Sequence, residues 1–136
     1  MPSWTEVLAL LLRPKPSLRC TAYAIGKPPV RVDYRGDGSW VLDDGVTDVA
    51  RVGWLAAAIE PWRHLSLPGV EGRVAGREDV GGRRALIVEA RGLRGPTLVS
   101  KIWIDEGTGV IVRIERLDDP APLLVLEGLE VAAASD

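Results

Sequence analysis

The stretch Thr97-Leu-Val-Ser-Lys-Ile-Trp-Ile-Asp-Glu-Gly-Thr-Gly-Val-Ile-Val-Arg-Ile-Glu-Arg-Leu117 decides the fold. Strand side chains alternate with period two, so Leu98, Ser100, Ile102 and Ile104 share one face and Val99, Lys101 and Trp103 the other. The β-branched residues Ile102, Ile104, Val110, Ile111, Val112 and Ile114 favour strand over helix. Between the two runs, Asp105-Glu106-Gly107-Thr108-Gly109 combines an Asp that can hydrogen-bond nearby backbone with two glycines that tolerate positive φ, which predicts a hairpin loop of four or five residues.

The same residues carry a resemblance. Gly82-Arg83-Arg84-Ala85 entering a strand, then Trp103-Ile104-Asp105, Thr108-Gly109 and Arg113-Ile114-Glu115, resembles a pattern of the bacterial lipoprotein-localisation carriers, the LolA/LppX/RseB-like superfamily. The resemblance covers roughly residues 65–131. It implies a strongly curved antiparallel half-barrel with helices on its concave side and a hydrophobic cavity for an acyl chain or a hydrophobic peptide.

At 136 residues the chain fits one domain, with 46% apolar and 26% charged residues as in ordinary globular proteins. The formal charge of −2 supplies no bulk attraction to nucleic acid or an anionic membrane. All basic residues except Lys15, Lys27 and Lys101 are arginines, and those between Arg73 and Arg94 are interrupted by acids, which reads as a solvated sheet face. Cys20 is the only cysteine, so no intrachain disulfide forms, and its alternation with Leu18, Ala22 and Ala24 marks it as a small buried hydrophobe. Val7 to Leu12 is too short for a signal h-region and follows Glu6, and no run is long enough to span a membrane. The expectation is a cytoplasmic chain as written, or a periplasmic or cell-envelope one if the true start lies upstream.

Ser3 to Leu12 reads as a helix, with Ser3 and Glu6 in a capping-box pattern and Pro14 and Pro16 ending it. Leu18 to Ile25 reads as a strand, and Val30 to Asp43 as a hairpin turning at Arg35-Gly36-Asp37-Gly38. Between Asp48 and Leu67 the period changes: Val52, Leu55, Ala56 and Ile59 share a helical face, and Pro61 kinks or restarts the helix. From Leu67 turn signals recur, and the runs Val70–Asp79, Arg83–Arg91, Leu98–Asp105, Val110–Asp118 and Leu123–Val131 form an antiparallel meander, with Asp119 to Pro122 as a turn. Seven to nine strands in one sheet curl as their twist accumulates. The predicted class is α+β: one strongly curved antiparallel sheet with short helices on its concave face, and a frayed tail after Val131.

No catalytic constellation emerges. His64 stands without a cysteine or carboxylate at metal-ligand spacing, and the paired carboxylates Asp43-Asp44, Asp105-Glu106 and Asp118-Asp119 each fall in a turn. No nucleophile elbow, P-loop or dinucleotide fingerprint is present, so the reading is a non-enzyme without metal or cofactor. The positive signal is that Leu86 and Val88 face opposite to Ile87, and Trp103 opposite to Ile102 and Ile104, so the sheet is apolar on both faces. One face takes the helices; the other meets solvent, a ligand, a partner or a second copy through its face or edge, unless twisting hides it in a second small core. Trp40, Trp54, Leu55, Ile59, Trp62 and Trp103 are the bulky apolar residues on elements expected to face one another, and they form the candidate ligand-lining set. The leading expectation is a binding protein holding an acyl chain, a hydrophobic peptide or a lipidated protein between sheet and helices. The rival is an interaction or regulatory module with a filled core.

Overall fold

The computed structural model describes residues 2–36, 40–43, 54–59, 61, 70–92, 99–117 and 119–131, with backbone alone at Trp40, Trp54, Ala56, Asp119 and Pro120. The elements are α1 (Trp4–Leu12), β1 (Leu18–Ala24), β2 (Val30–Tyr34), β3 (Trp40–Leu42), α2 (Trp54–Ile59), β4 (Glu71–Val80), β5 (Arg83–Arg91), β6 (Val99–Asp105), β7 (Ile111–Arg116) and β8 (Asp119–Val131). All eight strands form one sheet in the order β3-β2-β1-β8-β7-β6-β5-β4, antiparallel at every pairing. The sheet is a curved, open half-barrel with its helices on the concave face. An N-terminal three-strand meander and a C-terminal five-strand meander meet where β1 pairs with β8, from Leu18 opposite Val131 to Ala24 opposite Leu124.

α1 begins as its capping box dictates: the Ser3 hydroxyl accepts from the Glu6 backbone N–H at 3.2 Å, replacing one bond that the first turn lacks. Its apolar stripe buries Val7, Leu10 and Leu11. Trp4 lies so close over Gly72 of β4 that any Cβ there would meet its ring. The α2 segment is apolar throughout, touches β1, β7 and β8, and buries Leu55, Ala57, Ala58 and Ile59 completely. Pro61, expected to kink or restart the helix, is itself helical and buried, and the remainder of the helix expected between Asp48 and Leu67, with Val52, Trp62 and His64, lies outside the described residues, as do Asp37, Gly38, residues 93–98 and the tail beyond Val131.

The start and the interior of the last strand differ from the alternation reading. β8 starts at Asp119, where a turn to Pro122 was expected, because the β7–β8 ladder is irregular there, with Glu115 opposite Pro122 and Arg116 opposite Asp119. Proline has no N–H to give to a ladder and is accommodated where pairing breaks. Within β8, Arg19 pairs with Glu130 and Thr21 with Glu127, so β8 carries one residue more than β1 at this point, a bulge containing Gly128 at φ +64. Among the described residues no helix is long and apolar enough to cross a membrane.

Candidate functional site

The helix-bearing face of the sheet is built, across its five central and C-terminal strands, from in-pointing positions: Leu18 and Ala22 of β1, Val88 of β5, Ile102 and Ile104 of β6, Ile114 of β7 and Leu124 of β8. Val7, Leu11, Leu55 and Ile59 press onto it at 0% exposure. A side chain with no accessible surface borders no space large enough for water, so the described part of the helix–sheet interface is filled. Of the six candidate lining residues, Leu55 and Ile59 lie here, side by side on α2. Trp40 stands opposite Tyr34 in the β2–β3 ladder and Trp54 opens α2, but their side chains are outside the described set, as is all of Trp62.

Trp103 is on the other face. It pairs with Ile87 and Arg113, whose row continues through Val125 to Tyr23 on β1. The Trp103 indole N–H donates to Glu78 Oε2 at 2.7 Å, while Lys101 and Arg113 lie 5.1 and 5.4 Å from its ring centre. Only 6% of Trp103 is exposed, so long cationic side chains cover the ring with their stems and keep their charges wet. Next to this row Glu115, Lys101, Glu89 and Arg73 alternate in sign across β7, β6, β5 and β4, and Arg73 closes on both oxygens of Glu89 at 3.0 Å. Trp103 is thus hidden in a small second core beneath a charge ladder, with Ile87 and Val125 half-buried beside it and Tyr23 exposed at the end of the row, which accounts for a sheet that reads as apolar on both sides.

The β6–β7 hairpin loop is tied to this sheet and to α1. Asp105, 2% exposed, accepts from Thr108 N–H at 2.9 Å and from the Thr108 hydroxyl at 2.7 Å, and Arg83 donates to its two oxygens at 2.8 and 3.0 Å. These bonds hold the Arg83 guanidinium more firmly protonated than usual, its hydrogen bond to Asp105 being the main cause. The carboxylate of the Asp105-Glu106 pair is therefore spent on the turn and on Arg83. Gly109, at φ +77, brings the loop against the Leu10 carbonyl at the C-terminal end of α1. Lys15, 3% exposed, donates to the carbonyls of Leu11 at 2.8 Å and Arg13 at 2.7 Å, supplying the cation that a helix C-terminus favours.

Burial, with a smaller contribution from the Arg13 charge, lowers the Lys15 pKa to about 8. An unfolded lysine titrates near 10.5, so between these values the unfolded chain binds more protons and stability rises with pH. Below about 8 the burial cost of the charged amine is fully present. Urea unfolding at pH 7 and pH 10 is expected to show the wild type gaining stability relative to Lys15→Met as pH rises; parallel pH dependences would show that this amine is not the titrating group. The buried Cys20 thiol is pushed up to about 12 by burial, as expected for an inert core cysteine.

Two grooves open on the face away from the helices. One, of about 410 Å³, lies over β1, β2 and β3; the other, of about 420 Å³, lies between the β4–β5 turn, the start of β7 and the end of β8. The alternation reading of Leu123 to Val131 passes over the residue that joins them, Gly128. An isolated glycine inside a strand pattern is the signal for a bulge. Among the described residues no three of His, Cys, Asp or Glu gather as metal ligands would.

No family model matches the chain, and no curated protein does. Solved structures do. The crystal structure of MucB matches with a TM-score of 0.56 at 17% identity over 97% of this chain and 60% of that one. MucB in the MucA/MucB complex of Pseudomonas aeruginosa matches at 0.56, 18% identity and 98% of this chain, and MucB in complex with MucA(peri) at 0.53 and 16%. The chain spans 56 to 60% of the length of these structures. The likeness is one of fold. It extends the half-barrel resemblance from residues 65–131 to almost the whole chain.

Proposed function

We propose that this chain is a non-enzymatic binding domain that docks a protein segment, the interaction-module reading, on a half-barrel whose inner face is filled among the described residues. The observation that carries it is the packing between helices and sheet: Val7, Leu11, Leu55, Ala57, Ala58 and Ile59 have no accessible surface, which leaves an acyl chain no entry among them. The likeness to MucB, solved in complex with the protein MucA, supports a protein partner. It also fits the cell-envelope placement better than the cytoplasmic one, since one of those complexes holds a MucA segment marked (peri).

Native mass spectrometry of freshly purified protein, followed by titration with a long-chain fatty acid, tests the reading. The expected result is no co-purifying lipid and no saturable adduct. Stoichiometric binding of the fatty acid by the folded protein would overturn it in favour of the carrier reading. That second reading rests on α2, a six-residue apolar helix lying over β1, β7 and β8. A ligand that displaced it would meet Leu55 and Ile59, with Trp40, Trp54 and Trp62 as the further candidates, while Trp103 would stay on the opposite face.

A further inference from the structure

The two outer grooves are one trough. Both are lined by Glu127 and Gly128. The β8 bulge places Gly128 where a Cβ would find nothing within 4 Å, so the sheet dips instead of presenting a side chain between them. Aliphatic side chains line the trough at intervals among the charged ones, with Val41 in the first groove and Val80, Val112, Val125 and Leu129 in the second.

The charges along the walls are unequal in what they have left to bind. Arg83 is held by Asp105, Arg113 by Glu115, and Arg19 lies 3.8 Å from Asp33. Asp43, Glu127 and Glu130, all exposed, make no ion pair among the described residues, and Arg31 is the one lining cation in the same condition. An anionic lipid or acidic peptide entering the trough would face three carboxylates, while two of the three engaged arginines are already neutralised at close range. A cationic segment with aliphatic residues meets aliphatic side chains and unpaired acids together.

We propose that this trough on the outer face binds an extended protein segment in which lysines or arginines alternate with aliphatic residues, its basic side chains meeting Glu127 and Glu130. The assignment rests on the interaction-module reading and names the surface and the partner chemistry. Extended chain suits it because side chains of period two present apolar groups to the floor and basic groups to the walls from one backbone.

The test is fluorescence polarisation with a labelled peptide alternating leucine and lysine, its leucine–glutamate counterpart, and phosphatidylglycerol vesicles, on wild type and on Glu127→Lys/Glu130→Lys. Both substituted residues are exposed, and circular dichroism checks that the variant folds. The expected result is saturable, salt-sensitive binding of the lysine peptide, weakened about tenfold by the double substitution, with little binding of the other two probes. Equal binding of both peptides, preference for the vesicles, or binding of the lysine peptide untouched by the substitutions would overturn the trough assignment, as would failure to bind either peptide. Sedimentation without peptide reports on a second copy as occupant, and self-association abolished by the same substitutions would also overturn it. A fatty-acid adduct, by contrast, counts against the module reading and leaves these outcomes to be read separately.

Discussion

Replacing Gly109 with alanine is expected to destabilise the fold by about 3 kcal/mol or more, a large loss for a single added methyl group. Two costs combine. Gly109 sits at φ +77, where an L-residue is strained, and the new Cβ would press into the Leu10 carbonyl, 3.1 Å from its carbon and 3.3 Å from Lys15 Nζ. The obstructing atoms are backbone at the end of α1, and α1 cannot withdraw without unseating Leu10, Leu11 and the Lys15 cap. Gly107→Ala is the control: it has no positive φ, and its added Cβ would meet only side-chain ends, Arg83 at 3.0 Å and Asp105 Oδ2 at an ordinary contact distance of 3.5 Å, so a change of about 1 kcal/mol or less is expected. Chemical unfolding of the two variants measures the difference. Equal losses would mean that the contact between hairpin loop and helix does not stabilise the fold.

Trp103→Ala should cost about 3 to 5 kcal/mol, the range for truncating a large buried side chain. The indole is 6% exposed, packs beside Ile87, and is overlaid by Lys101 and Arg113, so its removal opens a void under two charged groups that close over it poorly. Trp103→Phe keeps most of the apolar area and loses the bond to Glu78, for an expected loss of about 1 kcal/mol. Because Trp103 faces away from α1 and α2, neither variant should alter fatty-acid binding by the folded protein, whatever that binding is. A loss below about 1 kcal/mol for alanine would show that the second core contributes little.

How much was legible in the residues follows from how each feature is encoded. The β6–β7 hairpin, the Ser3 cap and the strand spans are properties of short windows, and such windows carry them in side-chain period, turn chemistry and β-branching. The period also placed Trp103 opposite Ile102. It left open which of the two faces the helices would cover, since both carry apolar groups, and that choice separated Trp103 from Leu55 and Ile59.

The sequence by itself therefore determined one antiparallel sheet and the strand alternation within it. Tertiary structure alone decided the strand order, because the β1–β8 pairing joins Leu18 to Val131, partners too far apart in the chain to leave a local pattern. It decided the bulge at Gly128 and the irregular β7–β8 ladder, which arise from fitting strands of unequal length around one curve. It also decided that Asp105 is engaged by Arg83 and that Glu127 and Glu130 are left without an ion pair among the described residues. Whether a charge is paired depends on which strands become neighbours, and that is a property of the whole sheet.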